Sequence, residues 1–147
     1  MNDAQHDALG RYLRSLADAM QLRDWVIELQ RERPEPEGAW ASVVVCRWHQ
    51  TAWVRVAWPE FFDTRPPERQ RVDLVHELVH VHLDRPHQLM DDLAGMFGEN
   101  TATQLAKDRH QVEIEVATET LARVIAPFMP MPPAWTELRE SAGHGHV

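Results

Sequence analysis

Apolar residues recur at Leu9, Tyr12, Leu13, Leu16 and Met20 with the three- and four-residue spacing of one helical face, predicting an amphipathic helix from an Asp3 cap to about residue 20. The period then changes. In DWVIELQ, Trp25, Ile27 and Leu29 alternate with Val26 and Glu28, which predicts a short strand ended by the RERPEPEG loop. WASVVVCRW and TAWVRVAW, rich in β-branched and aromatic residues, flank His49 and Gln50 and predict a β-hairpin. His-Gln is a poor type I′ pair, so the loop is expected to exceed two residues. In the second strand Val54, Val56 and Trp58 should face one way and Trp53, Arg55 and Ala57 the other.

Pro59 ends that strand, and Thr64 ahead of Arg65, Pro66 and Pro67 marks the start of a helix running to about Leu83. Arg85-Pro86 predicts a break, after which a shorter helix carries Leu89, Leu93, Met96 and Phe97 and stops at Gly98. Asn100 or Thr101 then caps a long helix closed by Pro127. The fold class expected is α+β, a small antiparallel or mixed sheet of about three strands packed on these two helices. Residues 1–135 read as one domain and 136–147 as a flexible tail. No internal repeat is visible, which argues against a solenoid.

Composition narrows the function. The 147 residues include 23 acidic and 15 basic side chains, a formal charge of -8, which disfavours nucleic acid and anionic membrane as partners. The single cysteine, Cys46, excludes an internal disulfide and a thiolate zinc cluster, and implies a reducing, cytoplasmic setting. No stretch approaches the roughly 18 apolar residues of a membrane span.

Chemistry concentrates in LVHELVH, residues 74–80. His76 and His80 stand four apart, neighbours on one helical face, and two imidazoles suit zinc. Glu77, on the adjoining face, is placed to take the proton of a water attacking a carbonyl and to pass it to the leaving amine. The competing reading is a pair of satisfied core histidines. It is the weaker one, because Val72, Val75, Leu78, Val79, Val81 and Leu83 make an apolar setting in which two unpartnered rings are costly.

A catalytic zinc needs a third protein ligand. The metzincin spacing fails, since its glycine and histidine positions hold Leu83 and Pro86, and His87 comes one residue late. His82 lies well round the helix from the other two histidines. Two carboxylates remain. The apolar positions Val116, Ala117, Leu121, Val124 and Ile125 centre nearer Glu113, whereas Glu115 has Glu119 four residues on to hold the free N–H of a ligand histidine.

With HELVH followed by EVATE, the chain resembles the gluzincin zinc metallopeptidases, which use two histidines and a distant glutamate. EVATETLARVIAP more narrowly resembles the compact ImmA/IrrE type and the small metallopeptidases of phages and prophages, through Glu115, Thr118, Glu119, Leu121, Ala122 and Pro127. In those proteins the proline usually stands one residue later, and an aromatic stands where this chain has Leu121. The resemblance implies a minimal zincin-like domain, Glu115 as third ligand, Glu119 behind a ligand histidine, and a zinc metalloendopeptidase acting on a peptide or protein.

The alternative is an inactive zinc-containing module that grips a repressor- or toxin-like partner. For the oxyanion, His110, His49 and Arg123 are open alternatives, while Tyr12 fits the core. WVRVAW is a candidate substrate-binding sheet edge, but the simpler view, that its tryptophans pack the sheet face against the helices, is the stronger one because aromatics favour strands anyway. Residues 84–100 are a candidate lid, with the break after Leu83 and Gly95 and Gly98 as points of movement. His144 and His146 in the tail invite adventitious metal.

Overall fold

The computed structural model describes residues 1–135. The tail, with His144 and His146, lies outside the described residues. The chain is α+β, with helix α1 (Asp3–Ala19), strands β1 (Val26–Leu29), β2 (Ala41–Cys46) and β3 (Thr51–Val56), the one-turn helix α2 (Glu60–Asp63), and long helices α3 (Pro67–Phe97) and α4 (Thr101–Ile125). Among the described residues no helix is long and apolar enough to cross a membrane.

The α1 face reads as expected, with Leu9, Leu13 and Leu16 fully buried, but its cap is Asn2 rather than Asp3. The Asn2 side chain accepts the Gln5 N–H at 2.8 Å and the Gln5 side chain accepts the Asn2 N–H at 3.1 Å, so two orphan donors are satisfied reciprocally. Tyr12 belongs to the core. Its hydroxyl donates to the Pro130 carbonyl at 2.8 Å, and its ring meets Trp135 edge-on.

The sheet is mixed, in the order β1-β3-β2. β2 and β3 form the expected antiparallel hairpin, with Val43 opposite Val54, joined by a 3-10 turn and a left-handed Gln50. β1 lies parallel to β3 on its other side. This rules out the candidate reading of WVRVAW as a free edge, because β3 is central and pairs on both sides. Ala52, Val54 and Val56 point into the core, while Trp53 on the opposite face donates to Glu28 at 2.8 Å. Trp58 falls beyond the strand, and its indole holds the Arg31 carbonyl at 2.7 Å.

Helix α3 presents Leu74, Val75, Leu78 and Val79 to that core, so the histidine motif is carried on a helix locked at its waist. Below it, buried Gln70 accepts the Trp135 indole N–H at 2.8 Å and donates to the Phe61 carbonyl, leaving neither amide end unpaired.

The expected break at Arg85-Pro86 is absent. α3 runs unbroken for 31 residues with Pro86 in its interior, so the candidate lid is a continuous helical arm with no hinge after Leu83. Arg47 clamps this stretch from the sheet side, its guanidinium donating twice to the Asp84 carboxylate at 2.7 and 2.9 Å. α4 packs along the other side. At the far end Asn100 caps α4 through the Thr103 N–H at 3.0 Å.

Proline inside a helix withholds an N–H from the carbonyl four residues back, here His82, and costs about 3 kcal/mol. Part of that is offset by the stiffer unfolded chain. Pro86→Ala is therefore expected to raise the unfolding free energy by about 1–2 kcal/mol in urea titrations. A loss of stability would contradict a continuous helix at this point.

Candidate metal centre

His76 and His80 leave α3 on the side that faces α4, one turn apart, and their Nε2 atoms stand 3.2 Å from each other. Glu115 on α4 comes to meet them, one carboxylate oxygen 3.5 Å from His80 Nε2 and the other 3.8 Å from His76 Nε2. All three ligand atoms lie within 4.8 Å of one another. Tetrahedral zinc with bonds of about 2.05 Å separates neighbouring ligand atoms by roughly 3.3 Å, so the spacing of the nitrogens already fits the ion.

Glu119, one turn beyond Glu115, places an oxygen 3.2 Å from His76 Nδ1. A carboxylate there fixes the ring so that Nε2 carries the lone pair, the arrangement that orients ligand histidines. Glu119 is held in turn by Arg123 at 2.7 Å. The other candidate ligand, Glu113, is not brought to this group. It pairs with Arg109 at 2.7 Å on the exposed side of α4.

Burial explains why α4 turns this way. Thr118 and Ala122 are its buried positions, and Val116, Leu121 and Val124 are exposed. The apolar periodicity that favoured Glu113 therefore marks the outer face. Small side chains make the inner one.

Glu77 is 8% exposed and points into the same cavity as the three ligands. Burial first, then the charges of Glu115 and Asp73, push its carboxyl up to about 8. Burial also holds the His80 imidazole below its ordinary value, against the pull of Glu115, so the ring is neutral and offers a lone pair. Asp73 is answered by Arg65 at 2.7 Å and Asp84 by Arg47 at 2.7 Å. No such arginine or lysine reaches Glu77 or Glu115 among the described residues, so two carboxylates and two imidazoles surround a point that no arginine or lysine answers. A divalent cation fits that donor set and that imbalance.

The cavity measures about 550 Å³ and is walled by His76, Glu77, His80, Glu115, Ile114 and the length of β2. β2, not β3, is the strand with a free edge on this side. Of the remaining candidates, His82 is spent on the Met20 carbonyl at 2.8 Å, His49 is exposed in the hairpin turn, and Arg123 is tied to Glu119. His110 stacks on His87. Sequence reasoning did not single out Gln111, whose side chain donates to Glu115 at 3.3 Å; its place four residues before the glutamate was the available signal.

Comparison with protein-family models, with curated proteins and with solved structures finds no match in any of the three.

Removing the carboxylate behind a ligand histidine typically costs 10–100-fold in metal affinity. Glu119→Ala is expected to weaken zinc binding by about that factor, and Glu113→Ala to leave it unchanged. Competition with a chromophoric chelator, in chains carrying His144→Ala and His146→Ala, reads both. Equal losses in the two variants would remove the distinction drawn from the geometry.

Proposed function

We propose that the chain is a zinc-dependent metallopeptidase of minimal zincin-like fold that hydrolyses a peptide bond in a peptide or protein substrate. The observation that carries this reading is the three-ligand group His76, His80 and Glu115 beside a buried carboxylate, Glu77, that is not one of the three. Two imidazoles and one carboxylate, opening on a cavity, match the donor set of a catalytic zinc rather than a closed structural one. Bound there, zinc would supply Lewis acidity and bring the pKa of a water to about 7.

The rest of the chemistry belongs to the chain. Glu77 takes the proton from the attacking water and delivers it to the amide nitrogen that leaves. Its burial, at 8% exposed, keeps bulk water off the carboxylate. Glu119 keeps the His76 ring in register through the transfer. β2 offers a rail for the substrate, because an extended peptide can add main-chain hydrogen bonds to a free strand edge while Val43 and Val45 line the cavity beside it. The resemblance of HELVH and EVATE to the ImmA/IrrE type supports the same assignment.

Glu77→Gln is expected to keep one zinc at the site while lowering cleavage of a broad peptide library by about 10²-fold or more. Elemental analysis and the library assay together decide. A chain that holds zinc, cleaves nothing, and binds its partner equally well with Glu77→Gln is an inactive binding module. A chain that takes up no zinc has no such site at all.

A further inference from the structure

Farther along the α3/α4 pair, His87 and His110 stack with ring centroids 5.4 Å apart and planes 21° from parallel. Each ring has one nitrogen, Nδ1 of His87 and Nε2 of His110, that is buried and without a hydrogen-bond partner. Two such atoms in one contact are unusual, because a polar atom shut away from water loses free energy until something engages it.

Asp91 lies one turn beyond His87 and lines the same cavity of about 290 Å³ as both rings. α3 thus carries its polar pattern twice, His76 and His80 recurring eleven residues later as His87 and Asp91. Eleven residues are about three turns, so both pairs look toward α4. At each level α4 adds a third group, Glu115 at the first and His110 at the second.

We propose that His87, His110 and Asp91 form a second metal site, selective for a borderline divalent transition ion such as zinc, cobalt(II) or nickel(II). Imidazole nitrogen suits these ions, whereas magnesium and calcium take oxygen donors. The unpartnered nitrogens supply two ligand atoms already withdrawn from water. Asp91 supplies the third after a side-chain rotation, since its present partner, Lys107 Nζ, sits 4.0 Å away on an exposed pair. The described residues have no other group of three ligand atoms gathered as tightly as His76, His80 and Glu115, so the second site binds more weakly than the first. It does not depend on the peptidase reading.

The test is a calorimetric zinc titration of the full chain carrying His144→Ala and His146→Ala, compared with the same chain carrying His87→Ala, His110→Gln, or His76→Ala with His80→Ala. Two equivalents are expected in the parent, one after either second-site change, and one after the paired first-site change. Asp91→Asn should weaken the second event and leave the first alone. Circular dichroism of the metal-free variants checks that each folds, and His110→Gln decides if His87→Ala does not. A parent stoichiometry that survives both His87→Ala and His110→Gln overturns the second site and leaves the first standing. A single equivalent lost in those variants but kept without His76 and His80 supports the second site and removes the first. A bridging water as the only occupant gives no second event and overturns the proposal.

Discussion

Thr118 and Ala122, with Ala126 capping its end, give the long helix α4 a strip narrow enough to lie close against α3, and the polar group between the two helices depends on that approach. All three are fully buried. The Thr118 hydroxyl is satisfied within its own helix by the Ile114 carbonyl at 2.7 Å, so it adds no unpaired atom to the contact. Larger residues on this strip would hold the helices apart and carry the Glu115 and Glu119 carboxylates away from the imidazoles they now reach. The larger apolar side chains of α4 are displaced to its outer face, where Val116 is 57% and Val124 60% exposed.

The same constraint accounts for the electrostatics. One side of α3 is committed to the core through Leu74, Leu78 and Val81, which leaves His76 and His80 facing α4. Because α4 answers with the half-exposed carboxylates of Glu115 and Glu119, negative charge collects beside the buried Glu77. Arginines at the margins, Arg47, Arg65 and Arg123, each settle on one acid at the rim. The centre is left to Glu77 and Glu115. Burying an unanswered charge is costly, and a carboxyl raised to about 8 is how the fold accommodates it. A cation between the helices would remove the need.

This geometry also shows which parts of the molecule were legible in its sequence. The α1 face, the hairpin, the strand VIEL and the Asn100 cap follow local rules of period and capping, and they appear where those rules put them. The pair His76 and His80 is equally local. What local pattern could not supply was sidedness. Apolar periodicity located the wider apolar face of α4, but small residues made the tighter contact, and the choice between Glu113 and Glu115 turned on that difference. Strand order was likewise hidden, since nothing within WVRVAW says that VIEL will close its second edge. Pro86 misled for a related reason. Its local penalty is real, yet contacts to Asp84 from the sheet and to His87 from α4 hold both sides of the helix through it.

The uninterrupted α3 makes the two levels of the helix pair unequal in a way that bears on chemistry. At the level of His76 and His80 the sheet forms a third wall, so the cavity is bounded by β2, α3 and α4 and contains a buried acid. At the level of His87 and His110 the walls are the two helices alone, and the neighbouring Leu89, Leu93 and Leu105 are open to solvent. Among the described residues no buried carboxylate like Glu77 stands there, since Asp91 and Asp108 in that cavity are not among the buried side chains and the position eleven residues after Glu77 is Gln88, which donates to Asp92 at the surface. A cation at the outer level would therefore stiffen the arms rather than catalyse. Its effect would reach the inner level through the shared helices, by holding α4 at the rotation that keeps Glu115 and Glu119 turned toward α3.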